Sequence, residues 1–116
     1  MKVYAYKNCD TCRKAIKWLN LHGIDYEEIA IREHPPTVVE LRQVLVSIGD
    51  LKRLFNTAGG DYRALGMKER LPAMTEEEAL ELLSRTGNLV KRPFVVGEGI
   101  GLAGFKEPEW REAFGK

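Results

Sequence analysis

The chain has 116 residues and a 44% hydrophobic share, which suits one domain with its own core and argues against disorder. Its 18 basic and 17 acidic residues leave a formal net charge of +1, so bulk electrostatics give no route to direct nucleic-acid or membrane binding. No run approaches the roughly 18 apolar residues of a membrane span, and no apolar leader opens the chain, so a cytoplasmic location with reduced cysteines is expected.

Residues 1–6 alternate as a strand, with Val3 and Ala5 on one face and Tyr4 and Tyr6 on the other. Residues 10–22 then follow a helical pattern, and Gly23 is placed as the residue that ends it. Asp25 to Ile31 alternates again, giving a second strand. Strand–helix–strand over about 30 residues is a βαβ unit with parallel pairing.

Pro35-Pro36 breaks the pattern. Thr37-Val38-Val39-Glu40 is a capping box, and Val38, Leu41, Leu45 and Ile48, widened by Val44, form a helical stripe up to Gly49. Asp50 can cap a short helix carrying Leu51, Leu54 and Phe55. Asp61 can cap a turn with Tyr62 and Leu65. Thr75 to Glu78 is a second capping box, followed by Ala79, Leu82 and Leu83 on one face. Residues 37–86 thus read as a helical block.

After Gly87 the strand pattern resumes. Phe94-Val95-Val96 follows Pro93, Gly97 to Gly99 is a tight turn, and Ile100 to Gly104 pairs back as a hairpin. Pro108 suits a first helical position, and Trp110 and Phe114 lie four apart on a closing helix. The order is βαβ, helical block, ββα. This is an α/β, thioredoxin-like plan with an α-helical insertion at about 37–86 in a single domain, 1–116.

The chemistry concentrates at Lys7-Asn8-Cys9-Asp10-Thr11-Cys12-Arg13-Lys14, which holds both cysteines. Strand, C-x-x-C, helix is the setting in which this spacing reads as a thiol redox site. Cys9 falls where the helix begins, so unpaired backbone N–H groups and the positive end of the helix dipole favour its thiolate. Arg13 and Lys14 add charge nearby, partly opposed by Asp10. Cys12 shares a face with Ala15, Ile16 and Leu19, so it points inward. The pair divides into an exposed attacker and a shielded resolver. A zinc site needs about four ligands, and His22 and His34 do not stand at ligand spacing from the cysteines, so no metal is expected. Thr11 can donate its hydroxyl to the Cys9 sulfur or cap the helix. Arg13 can stabilise the thiolate or face solvent. Lys7 is a candidate charge beside the site, and His22 suits the C-terminal end of the helix dipole.

Five segments in order resemble the arsenate reductase (ArsC)-like family of the thioredoxin superfamily: K-N-C-D-T from Lys7, C-R-K-A at Cys12–Ala15, Y-x-x-L-G at Tyr62–Gly66, K-R-P-F-V-V at Lys91–Val96 and G-F-K-E-P-E-W at Gly104–Trp110. That family also contains Spx-type regulators and small glutathione-dependent thiol reductases. The resemblance implies that Cys9 is the nucleophile and that Arg92 is an active-site arginine beside a cis-proline, Pro93. It implies that Arg92 holds an anionic substrate group such as a glutathione carboxylate. Arsenate reductases of this kind use three arginines. Here only Arg92 is in place, Asn56 stands near a second position and Lys106 near the third. A lysine offers a point charge without the guanidinium fork, so arsenate is disfavoured as the substrate.

Two functions follow. The first is a thiol–disulfide reductase acting on a small-molecule or protein disulfide, using Cys9 and Cys12, with no bound cofactor and with glutathione or thioredoxin as reductant. The second is a redox-sensing regulator of the Spx type that binds the RNA polymerase alpha subunit. A monomer is expected in either case.

Overall fold

Alternation along β1 (Lys2–Ala5) sends Val3 and Ala5 into one core and Tyr4 into another. That split organises the molecule, described here for residues 1–116 by a computed structural model. Four strands form one sheet in the order β2-β1-β3-β4, with β2 at Glu27–Ala30, β3 at Phe94–Gly97 and β4 at Ile100–Ala103. β1 pairs parallel with β2 and antiparallel with β3, and β3 pairs antiparallel with β4. β1 and β3 are central and almost wholly buried, as their apolar runs require. β2 is an edge, and Glu27 and Glu28, on opposite faces of it, are both exposed.

Helix α1 (Asp10–Leu21) and helix α6 (Glu107–Phe114) cover one face. Cys12, Ala15, Trp18 and Leu19 of α1 and Trp110 of α6 pack on Val3, Ala5, Val95 and Leu102. Trp110 is fully buried, and its indole N–H donates to the Gly104 carbonyl at 3.0 Å. The other face carries α2 (Val38–Ile48), the short helices α3 (Gly60–Ala64) and α4 (Met67–Arg70), and α5 (Glu76–Arg85). Leu41, Val44, Phe55, Met67, Leu80 and Leu83 meet Tyr4, Phe94 and Val96 there. The fold is thioredoxin-like, with α2 to α5 between its two halves in the chain. No helix is long and apolar enough to cross a membrane.

Local signals placed the elements well. Thr37 and Thr75 both cap through complete capping boxes, and each such cap contributes about 1 kcal/mol. Gly23 adopts φ +64° just past α1, the left-handed geometry that frees a helix end. Four details differ from the sequence expectation. β2 is shorter than 25–31, and Ile31 enters the core from the turn beyond it. On α5 the inward residues are Ala79, Leu80 and Leu83, while Leu82 is half-buried at the margin. Asp61 lies inside α3, whose N-cap is Gly59, and Leu65 just past it is exposed while Tyr62 is buried. Pro108 is the second residue of α6, whose N–H is also unpaired in a first turn, so the ring costs nothing there.

Candidate active site

β1 ends at Ala5 and α1 begins at Asp10, so Tyr6 to Cys9 must turn the chain from sheet to helix. Cys9 is the N-cap, with extended backbone (φ −104°, ψ 119°) and no side-chain capping bond. Its N–H donates to the Tyr6 carbonyl at 3.0 Å, and its own carbonyl accepts the first helical bond from Arg13 at 3.0 Å. The sulfur therefore stands at a helix start, within reach of the Cys12 N–H. Cys12, one turn on, is 2% exposed and packs with Ala15, Trp18 and Leu19. Both cysteines are free thiols.

Burial opposes charge on Cys9. Hydrogen bonds from the Cys12 backbone N–H and thiol outweigh it, together with a bond and a charge from the Arg92 guanidinium. Cys9 is thereby held below its ordinary value of 9.0. Burial pushes the Cys12 thiol the other way, up to about 12. The neighbouring Cys9 charge adds to that rise, and the Tyr6 backbone and Arg92 only partly oppose it. Two thiols three residues apart thus titrate in opposite directions, which divides the labour between an attacking and a waiting sulfur.

Arg92 reaches this point because of the loop before β3. The Arg92–Pro93 peptide bond is cis. Pro93 is buried, and its carbonyl accepts from the Gly104 N–H at 2.9 Å. Lys91 N–H donates to the Leu54 carbonyl, Asn56 N–H donates to the Leu89 carbonyl, and Phe55 pairs with Val90. This short antiparallel contact ties the end of the α2 segment to the stretch that carries Arg92. One guanidinium nitrogen, Arg92 Nη1, is buried without a partner.

Two hollows flank α1. One, of about 500 Å³, lies between α1 and the β2 edge, with Cys12, Ile16 and Leu21 beside Tyr6, Lys7 and Arg13. The other, of about 450 Å³, is basic and includes Thr11, Arg53, Phe55, Lys91, Phe105 and Lys106. Neither is lined by Cys9 itself.

The structure thus brings Cys9, Cys12 and Arg92 together, with Pro93 joined to Arg92 by the cis bond. The other sequence candidates sit further out. Arg13 donates to the Asp10 carboxylate at 2.8 Å and to the Lys7 carbonyl at 2.9 Å, so its guanidinium is engaged away from the sulfur. Lys7 is exposed on the rim of the first hollow. Thr11 neither caps the helix nor bonds to Cys9, and faces the second hollow with Lys106. Lys106 is the N-cap residue of α6 and makes no side-chain cap. His22 donates through Nδ1 to the Trp18 carbonyl at 2.8 Å, at the C-terminal end of α1. No three His, Cys, Asp or Glu side chains gather as a metal site.

Sequence reasoning missed Tyr6, Asn8 and Arg32 as neighbours of the site. Asn8 Nδ2 donates to Tyr6 Oη at 3.2 Å, and both Arg32 and Arg92 lie over the Tyr6 ring. Only the alternation that put Tyr6 on the Tyr4 face hinted at this, and it could not name the arginines.

Comparison with known proteins agrees with this geometry. A model of the ArsC family matches residues 4–113. The uncharacterized protein YusI of Bacillus subtilis (strain 168) is 47% identical over 110 residues, covering 94% of this chain and 93% of YusI. The global transcriptional regulator Spx of Enterococcus faecalis (strain ATCC 700802 / V583) is 30% identical over 112 residues, covering 96% of this chain and 83% of that protein. The crystal structure of an ArsC-family-related protein from Bacteroides fragilis superposes with a TM-score of 0.90 at 43% identity, covering 97% of this chain and 95% of that one.

Proposed function

The chain belongs to the ArsC family, and on that premise we propose that it is a small thiol–disulfide reductase with Cys9 as nucleophile and Cys12 as resolving cysteine. The observation that carries this reading is the division of the two free thiols, Cys9 at the helix start with Arg92 beside it and Cys12 buried one turn on.

The chemistry balances as follows. The Cys9 thiolate attacks one sulfur of a disulfide, a new S–S bond forms, and the other half leaves as a thiolate that takes a proton from water. Cys9 is then neutral, so the contribution its charge made to the high Cys12 value disappears, while the Arg92 charge remains. Cys12 loses its proton and attacks Cys9 Sγ, releasing the second half as a thiol and closing a Cys9–Cys12 disulfide. Two electrons have passed to the substrate. An external thiol, glutathione or a thioredoxin, returns them. Glutathione can also attack the mixed disulfide directly and bypass Cys12. The basic hollow beside Thr11 and Lys106 suits the carboxylates of such a small thiol.

Arsenate fits less well. Arg92 is one guanidinium where three would clasp an oxyanion, Asn56 carries no charge, and Lys106 is a point charge. Turnover of a small mixed disulfide with glutathione, coupled to its recycling, tests the proposal. Cys9→Ser is expected to abolish turnover, and Cys12→Ser to retain it when glutathione resolves the adduct. Full activity in Cys9→Ser would sink the reading. The 30% identity to an Spx favours one alternative, a redox-sensing regulator. Capture of the RNA polymerase alpha subunit under reducing or oxidising conditions would support that reading, and its absence under both would remove it.

A further inference from the structure

Two guanidiniums lie over a single ring, that of Tyr6, three residues before Cys9. Arg32 Cζ lies 4.8 Å from the Tyr6 ring centroid and Arg92 Cζ lies 5.5 Å from it. The two cations can be no further apart than those distances laid end to end. They come from the turn after β2 and the loop before β3, so only the fold joins them. Like charges at such range repel, and a ring face compensates only weakly.

The Cys9 thiolate faces Arg92, but no carboxylate of the chain pairs with either arginine. Neither arginine takes part in any of its five ion pairs. Glu33 and Glu28 line a hollow of about 360 Å³ together with Tyr6 and Lys7, but neither carboxylate pairs with Arg32. Arg92 Nη1 is buried with no acceptor, a donor left unsatisfied at a cost to the fold. Asn8 adds a further donor, already spent on Tyr6 Oη. A cluster of cationic donors around one ring, with an orphaned N–H among them, lacks a carboxylate. Arg32 gives a hydrogen bond to Tyr6 Oη and Arg92 one to the Cys9 sulfur, and the remaining N–H groups of each five-donor guanidinium can make the forked bonds that suit a carboxylate.

We propose that Arg32 and Arg92, seated on the Tyr6 ring, form a two-guanidinium site for a carboxylate carried by the molecule that reacts at Cys9. The proposal rests on Cys9 being the nucleophile. It adds Arg32 as a binding residue and Tyr6 as the positioning residue that holds both arginines. It also sorts substrates: a disulfide with a carboxylate near its sulfur is favoured over a neutral one of the same size.

The test compares two alkylating reagents that differ only by that charge, iodoacetate and iodoacetamide. In both, the sulfur bonds to the methylene carbon and iodide leaves. The full chain carrying Cys12→Ser is used, so that only Cys9 reports. The iodoacetate-to-iodoacetamide rate ratio is expected to exceed that of a small free thiol. Arg32→Gln is expected to lower the ratio by roughly fivefold, the worth of one partly exposed ion pair. Arg32→Lys should recover part of the ratio. Tyr6→Leu should lower it and Tyr6→Phe should keep it, which a purely structural loss would not do. A ratio unchanged in Arg32→Gln, or equal to that of the free thiol in the parent, overturns the proposal. Resistance of Cys9 to both reagents instead overturns the nucleophile reading on which the proposal stands.

Discussion

The sharpest consequence of the site is that one cysteine of the pair should react first and by a wide margin. The perturbation is a limiting amount of iodoacetamide at pH 7. An ordinary thiol of 9.0 is about 1% thiolate at that pH, and Cys9 is held below that value, so its fraction is larger. Cys12, pushed up to about 12, is thiolate about once in 100,000 molecules. Protonation alone therefore favours Cys9 by at least about a thousandfold. The more basic sulfur is intrinsically the better nucleophile, and a Brønsted slope of about 0.4–0.5 over about three units returns roughly 20- to 30-fold to Cys12. The net preference for Cys9 is at least about 30-fold. Burial widens it, since Cys12 is only 2% exposed. Trypsin places both cysteines in one peptide, Asn8–Arg13, and fragmentation in a mass spectrometer assigns the label. Equal labelling would refute the reasoning, and Cys12 labelled first would reverse the roles.

Two further outcomes concern the frame that holds the site. Gly87→Ala should destabilise, although such a change usually stabilises by about 0.4–1 kcal/mol through the unfolded chain. A Cβ at Gly87 would stand 2.0 Å from the Ile31 carbonyl oxygen and 3.0 Å from Arg32 Cα, both backbone atoms. Overpacking of this kind costs about 1–3 kcal/mol, or roughly 4–12 °C in the thermal midpoint of a chain this size, and an unchanged or raised midpoint would contradict the packing. Glu40 is partly buried, which opposes its charge, yet it accepts from Thr37 N–H at 3.0 Å, Tyr4 Oη at 2.7 Å and Lys2 Nζ at 3.2 Å, and the balance holds its carboxyl below the ordinary 4.5. A depressed carboxylate stabilises the fold above its unfolded value and loses that contribution as pH falls through its folded one. Glu40→Gln should therefore cost about 1–3 kcal/mol in urea unfolding at pH 7, with the gap to the parent shrinking as pH drops below about 4.5. A gap that stays constant to pH 3 would show that the charge is not what matters.

Much of the frame was legible because its signals are local. The two capping boxes need only residues three apart, and both are complete. The misread residues lie where local periodicity is not the deciding force. Leu80 and Leu82 are both apolar on α5, and which one turns inward depends on how the helix is rolled against the sheet. Arg13 looked like a cation for the Cys9 sulfur, but its own turn offered it Asp10 and a carbonyl, and those nearer partners took it.

The sequence by itself determined a C-x-x-C at a strand-to-helix junction, with one sulfur at the helix start and the other on the buried face. Chain spacing suffices for that, since residues three and four apart share a helix face in any fold. Resemblance added Arg92 and the cis bond to Pro93, and the structure carries both. Only the tertiary structure decided what surrounds Cys9 beyond its own turn. Tyr6, Arg32 and Arg92 come from β1, the turn after β2 and the loop before β3. They meet because β1 lies between β2 and β3 in the sheet, a pairing no periodicity within any one segment can specify.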